Sequence, residues 1–329
     1  MKFTVLCGSR TIQHHQTMTI VAPLDWGLGH ATRCVPIVND CLARGEQVLL
    51  AADGAALAFL RVEFPNLQWV RLKGYRMRYF WPLPLALALQ VPFFGVSILL
   101  EHWRLQRIIK RMGVSRVISD NRYGLWSRNA DCTIITHQLY IQLPPCLRLF
   151  KKPLHAFTAR LLRRFAHIWV PDYADAQKSL SGALSHGGAL DAAVEYIGPL
   201  SRFLADSMDE PSLPVPQVLV VLSGPGRQKK MFTKRILRRL NGVAKRILVV
   251  GAEPNLKYQI TNGNTLVVNH LSTQELNSLL KLAPHVIARS GYTTIMDLHR
   301  IGRRAILFPT KGQWEQEYLA KRWRNGQYV

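Results

Sequence analysis

Acidic residues are scarce in this chain of 329. Twenty Asp and Glu stand against 43 Lys and Arg, a formal charge of +23 at pH 7. The deficit is not local: residues 1–200 hold 23 basic and 12 acidic side chains, and the remainder hold 20 and 8. Such a balance favours a polyanionic partner, whether nucleic acid, an anionic membrane surface or a phosphorylated substrate. Cysteine is sparse too. The five, Cys7, Cys34, Cys41, Cys132 and Cys146, are odd in number and form no C-x-x-C pair. That excludes a disulfide framework and a zinc knuckle, and it fits a reducing cytosolic compartment. No Asp-x-Asp signature occurs, so no metal site is expected. Met1–Arg10 has one Lys and no cleavage site, unlike a signal peptide. Eighteen Pro and 22 Gly exclude a coiled coil, no internal repeat is visible, and 48 % hydrophobic residues exclude a disordered chain.

What is present is alternation. Short apolar runs at Thr19–Ala22, Gln47–Ala51, Leu67–Leu72, Arg116–Ile118, Cys132–Thr136 and Ile168–Val170 read as buried parallel strands. Helical stretches separate them at Ala31–Ala43, Gly54–Glu63 and Leu154–Arg164. After the proline-rich crossing Pro199–Pro216 the alternation restarts. Strands are predicted at Gln217–Leu222, Arg246–Val250, Thr265–Val268, His285–Ala288 and Ala305–Phe308. Helices fall at Lys229–Leu240, Thr273–Leu282, Thr293–Ile301 and Trp314–Arg324. The fold class is therefore α/β, with two Rossmann-like, doubly wound domains. Residues 1–17 read as an extension, 18–200 as the first domain, 201–216 as a linker and 217–329 as the second domain.

One stretch does not fit a plain Rossmann domain. Tyr79–Leu100 carries no charge over 22 residues, yet Pro82, Pro84, Pro92 and Gln90 and the βαβ sequence on both sides oppose a membrane span. Basic residues flank it, Arg71, Lys73, Arg76 and Arg78 before and Arg104, Arg107, Lys110 and Arg111 after. The expectation is an element lying on a bilayer or holding a lipid; a core helix is the plainer alternative.

Four turns at strand ends could carry chemistry. In Asp25–Arg33, Gly27 and Gly29 let backbone approach a ligand, and His30 sits at a helix start, where a neutral imidazole can accept a proton. The third glycine of a dinucleotide fingerprint is replaced by Thr32, which leaves Asp53 only a weak claim as a ribose ligand. Asp120, after the fourth strand, could orient a base, accept a proton or cap a helix, and His137-Gln138 share that edge. In the second domain Ser223-Gly224-Pro225-Gly226-Arg227 would suit a diphosphate. Arg289, Ser290 and Gly291 form another strand–turn–helix junction, Asp297 has oxygens for two ribose hydroxyls, and Asn269-His270 would border a base. Each also has a packing or capping alternative.

Gly-Leu-Gly-His at 27–30, Arg-Ser-Gly at 289–291 with Asp297 six positions beyond its glycine, Phe308-Pro309 and Gln316 together resemble GT-B glycosyltransferases. Among these the chain is similar to the family 28 group of the peptidoglycan lipid-intermediate N-acetylglucosaminyltransferase and galactolipid synthases. The resemblance implies two domains facing a cleft and sugar transfer from a nucleotide-diphospho donor, usually UDP-linked, to a lipid-linked or amphipathic acceptor. It implies inversion without a metal, by His30 or Asp120 as base. Gly27, Gly29, Ser223, Gly224, Arg227, His270, Arg289, Ser290, Gly291, Asp297 and Gln316 would border or hold the donor, which is a substrate, so no cofactor is expected. The setting it implies is cytoplasmic, peripheral to the inner face of the cell membrane, on an anionic surface. The group's Gln-x-x-Asn-Ala reads Gln316-Glu317-Tyr318-Leu319-Ala320 here, and a final helix returning to the first domain is not evident. These departures keep open a non-catalytic relative that binds a nucleotide sugar or lipid. A nucleic-acid-binding protein is the other alternative, but the aromatics cluster in the apolar stretch and at strand ends, so no nucleic acid is expected.

Overall fold

The computed structural model describes residues 17–74, 83–143, 145–188, 190, 193–206, 209–224, 226–240, 246–251 and 259–323. Side chains at 83–91, 145–146, 226–228, 230, 259 and 261–262 lie outside that description, as do the extension 1–16 and the start of the apolar stretch, 79–82.

Seven strands form the first sheet: β1 (Met18–Pro23), β2 (Gln47–Ala52), β3 (Gln68–Arg71), β4 (Arg116–Asp120), β5 (Asp131–Ile135), β6 (His167–Val170) and β7 (Val194–Tyr196). Their order is β3-β2-β1-β4-β5-β6-β7 and every pairing is parallel. Alternate side chains leave opposite faces, so both need cover. Helices α1 (Leu28–Ala43) and α2 (Gly54–Glu63) cover one, packing Val35, Val38, Leu57 and Leu60 on Val21, Leu50 and Ile118. Helices α3 (Leu83–Met112) and α4 (Lys151–Leu162) cover the other, placing Ile98, Leu105, Ile109 and Leu161 on Ile20, Leu49, Val117 and Ile134.

From Leu83 on, the uncharged stretch forms the front of a thirty-residue helix that runs on to Met112. Among the described residues no helix is long and apolar enough to cross a membrane. One side of α3 is core, while Phe93, Val96, Leu99, Leu100 and Trp103 on the other are exposed, Leu99 at 67 %.

The second sheet comprises β8 (Val218–Val221), β9 (Ile247–Val250), β10 (Gln259–Asn262), β11 (Thr265–Val268), β12 (His285–Arg289) and β13 (Ile306–Phe308). Its order is β10-β11-β9-β8-β12-β13, and the β10–β11 pair is antiparallel. Helix α5 (Gly226–Leu240) covers one face through Phe232 and Ile236; α6 (Thr273–Leu282) and α7 (Tyr292–Arg300) cover the other. The Ser272 hydroxyl caps α6 by accepting from the Glu275 amide, and the Glu275 carboxylate accepts from the amides of Ser212 and Leu213 in the crossing between the sheets.

The last helix, α8 (Trp314–Arg322), follows β13 but docks on the first half of the chain. The Ala183 amide donates to the Tyr318 hydroxyl at 2.8 Å, Arg322 donates to the Ser179 carbonyl and Trp323 to the Leu180 carbonyl. Leu180, Leu184, Tyr292, Ile295, Met296 and Leu319 form one buried cluster across the seam. The helix predicted at Trp314–Arg324 thus docks on the first half, a placement that was not evident from the sequence.

Candidate functional site

Each first-half helix starts beyond the C-terminal end of the strand before it, which brings the glycine turn of β1–α1 to one sheet edge. The β8–α5 turn occupies the matching edge of the second sheet, and the two turns meet. A Cβ built on Gly27, whose φ of +121° favours glycine, would lie 3.9 Å from both the N and Cα of Gly224. Beside them α1 touches α7, where the Thr293 hydroxyl donates to the Gly29 carbonyl at 3.1 Å.

At this edge the first turn of α1 carries His30 and Arg33, one turn apart and on one face. Arg33, 1 % exposed, donates from Nε to Asp120 Oδ2 at 2.6 Å and from Nη2 to Oδ1. His30 Nδ1 lies 3.1 Å from Asp120 Oδ1. Nδ1 also lies 3.0 Å from Arg33 Nη2, which only donates, so a carboxylate that calls for a proton and a guanidinium that calls for a lone pair meet at this one nitrogen; in the tautomer with Nδ1–H turned to Asp120, the Nε2 lone pair is left as the base. Burial alone would raise the Asp120 pKa, but the Arg33 guanidinium and His30 hold it well below the usual carboxylate range. A carboxyl held ionised in this way suits orienting a neighbouring group better than accepting a proton.

Across the edge, a cavity of about 80 Å³ is lined by Gly29, Ser223, His270, Thr293, Thr294 and Asp297 among others. Its lining joins the two halves, Gly29 and Thr32 of α1 facing Ser223, Thr293 and Asp297. Asp297 accepts from the Ser201 hydroxyl at 2.6 Å, and burial pushes its pKa up to about 6 against the pull of Arg202 and Ser201. His270 packs edge-on against Phe59 at 5.8 Å; burial and the nearby Arg202 lower its pKa to about 4, so the ring is neutral.

Several expected donor contacts are engaged elsewhere. Ser290 is fully buried between strand ends: its amide donates to the Phe308 carbonyl at 3.3 Å and its hydroxyl to the Gln316 carbonyl at 2.8 Å. The Ser290 amide is therefore committed, and the N–H groups of the Arg-Ser-Gly turn that remain for an anion begin at α7, which Gly291 precedes. Arg289 turns to the α5 face of the sheet, 3.9 Å from the Phe232 ring, and donates to the Pro309 carbonyl at 2.9 Å; burial lowers its pKa to about 10. The Gln316 side chain accepts from the Thr310 amide at 2.9 Å and braces the turn into α8. Asp53 lies 3.5 Å from Arg71, away from the cavity lining. The Arg227 side chain lies outside the described residues.

Four residues of this site carried no clear sequence signal: Arg33, Ser201, Arg202 and Glu315. Arg33 had one usable cue, its three-residue spacing from His30. Glu315, in the first turn of α8, accepts from His137 Nε2 at 2.9 Å and from Nε2 of the Gln138 side chain. His137 Nδ1 faces Arg33 Nη1 at 3.3 Å and so acts as acceptor there, which leaves the proton on Nε2. Burial, with Arg33 and His30 nearby, lowers the His137 pKa and keeps the ring neutral. A continuous polar chain thus runs from α8 through His137 and Arg33 to Asp120 and His30. Among the described residues, no group of three His, Cys, Asp or Glu side chains comes together as a metal site would require.

Residues 228–325 match the glycosyltransferase family 28 C-terminal domain. Over 312 residues the chain is 22 % identical to an uncharacterized glycosyltransferase of Methanosarcina acetivorans, covering 88 % of this chain and 79 % of that one. It is similar in structure to the glycosyltransferase SnogD from Streptomyces nogalater, with a TM-score of 0.55, 14 % identity and coverage of 93 % and 84 % of the two chains. Acinetobacter baumannii MurG superposes with a TM-score of 0.50 at 14 % identity, over 93 % and 82 %.

Proposed function

Starting from a GT-B glycosyltransferase of the family 28 type, we propose that this chain moves a sugar from a UDP-linked donor, held by the second sheet, to a lipid-linked or amphipathic acceptor held by the first. The observation that carries this reading is the meeting of the Gly27 and Gly224 turns, with His30 at one side and Asp297 at the other.

In this reading His30 Nε2 removes the acceptor hydroxyl proton as that oxygen attacks the anomeric carbon from the face opposite the diphosphate. The anomeric C–O bond to the diphosphate breaks, and Asp120 stabilises the imidazolium that forms. Ser223, the turn amides at Gly224 and the starts of α5 and α7 point partial positive charge at the departing diphosphate. Asp297 takes the ribose hydroxyls.

The acceptor side is supported by exposed apolar surface. Phe93, Val96, Leu99, Leu100 and Trp103 on α3 lie in the same layer as Leu149, Phe150 and Phe157 around α4, and both helices begin at the C-terminal edge of the sheet. Arg107, Lys110, Arg148, Lys151 and Lys152 are exposed beside them. An apolar patch rimmed by cations suits peripheral docking on an anionic membrane, where a lipid-borne hydroxyl would be presented.

Calorimetry with UDP, ADP, GDP and UDP-sugars tests the donor assignment. Wild type and His30→Ala should bind UDP alike, while Asp297→Ala should bind it about tenfold or more weakly. Equal affinity in Asp297→Ala would overturn the ribose role.

A further inference from the structure

Helix α3 holds one buried acidic residue, Glu101, 4 % exposed. It faces Arg122, 2 % exposed, in the loop after β4. Arg122 donates to Glu101 Oε1 from Nε at 3.1 Å and from Nη2 at 3.0 Å, and also to the Leu72 carbonyl. The Gly124 amide donates to the same carboxylate. Desolvation offsets much of the attraction within a buried ion pair, so what this one chiefly supplies is a fixed geometry between α3 and the loop after β4.

The rest of the interface agrees. Phe94 meets Tyr123 edge-on, His102 stacks on Trp126 at 4.1 Å, and Gln106 bonds the Trp126 carbonyl and the Ser127 hydroxyl. A Cβ on Gly124 would lie 2.5 Å from the Ile98 carbonyl, so the helix and loop backbones touch. Asp120 is only two residues from Arg122. The intervening Asn121 has φ +57° and is held by its amide to Ile135 and by Thr136 at its side chain. Such a turn leaves no slack between the two.

We infer that Glu101 and Arg122 are positioning residues that tie the seating of α3, whose other face is exposed and apolar, to the alignment of Asp120 with His30. A shift of α3 along the sheet would draw the Arg122 loop with it and pull Asp120 off the imidazole. The inference rests on the proposed glycosyltransferase reading only for its kinetic consequence.

The test compares wild type with Glu101→Gln and with the double variant Glu101→Leu/Arg122→Leu, which removes both charges. Three readouts are taken: the low-field His30 Nδ1–H resonance in ¹⁵N-histidine-labelled protein, UDP affinity, and UDP release from UDP-sugars with anionic phosphatidylglycerol vesicles. The double variant should lose the resonance and about a hundredfold in kcat, while its UDP affinity stays within about twofold. Glu101→Gln, which keeps its size and an acceptor oxygen, should show a weaker resonance and a kcat lower by roughly three- to tenfold. It also decides the matter should the double variant not fold. A wild-type resonance in the folded variants overturns the inference. If wild type binds no UDP, the glycosyltransferase reading fails instead, and the histidine spectrum alone still decides the role of the ion pair.

Discussion

His137 Nε2 and Glu315 Oε1 lie 2.9 Å apart across the seam, joining the end of β5 to the first turn of α8. Because His137 also accepts from Arg33, this bond connects the arrangement of the two halves to the His30–Asp120 pair. Glu315→Ala strands two donors, from His137 and Gln138, and should cost about 1–3 kcal/mol. The radius of gyration in small-angle scattering should rise, and Glu315→Gln should restore much of the loss.

Asp297 titrates near 6, well above the unfolded value of about 3.9. Its charged form binds ribose hydroxyls, so affinity for a UDP-sugar should fall as pH drops through about 6. A UDP-sugar is the right probe because its diester phosphates do not titrate there. The same raised pKa means that ionised Asp297 destabilises the fold: stability from this group is greatest below about 4 and is lost as pH rises through 6. Asp297→Asn should flatten both profiles, read by calorimetry and by urea midpoints.

Asp120 behaves in the opposite sense. Its folded pKa is depressed, so it stabilises the fold above about pH 4, and that contribution is lost as pH falls below the unfolded value. Asp120→Asn should remove this acid-sensitive component and cost about 3–5 kcal/mol, because Arg33 then stays buried without its anion. His30→Ala should leave stability near wild type and lower turnover by about 10²–10⁴.

Gly182 has φ +57°, and a Cβ there would sit 2.5 Å from the Tyr318 hydroxyl and 2.7 Å from Arg322 Nη1. Gly113 has a similar φ of +63° and nothing within 4 Å. Both alanine variants share the left-handed backbone cost of roughly 1–2 kcal/mol. Gly182→Ala should lose about 1–3 kcal/mol more, measured by thermal unfolding, because it also displaces α8.

Pelleting with anionic vesicles should fall when Phe93, Leu99, Trp103 and Leu149 are made polar, and UDP affinity should not change. Wild-type pelleting should weaken as salt rises, since the cationic rim acts over a Debye length of about 8 Å at physiological ionic strength.

Buried strands such as β1, β2 and β9 were legible because a continuous apolar run between turn signals has few other uses. β7, Val-Glu-Tyr, and β10, Gln-Ile-Thr-Asn, were not: edge strands this short and polar resemble loops. The glycine turns could be read at the ends of predicted strands, and Asp297 on the helix that follows the last of these turns. Which way Arg289 points, and what the Ser290 amide bonds to, follow from the close approach of β12 to β13, which no local pattern encodes. Glu101 shows the same limit. In the sequence it only ends an uncharged run; its meaning depends on Arg122, twenty-one residues away.

The return of α8 to residues 179–183 has a mechanical consequence. Leu200, on the segment that crosses between the halves, packs against the cluster of Leu180, Leu184 and Leu319. Both tethers therefore pass through one pivot. On the far side, among the described residues, the Phe59–His270 contact and the Glu63–Thr273 bond join α2 to the start of α6 and the residues before it. Any swing of the two halves would therefore turn about that leucine fulcrum.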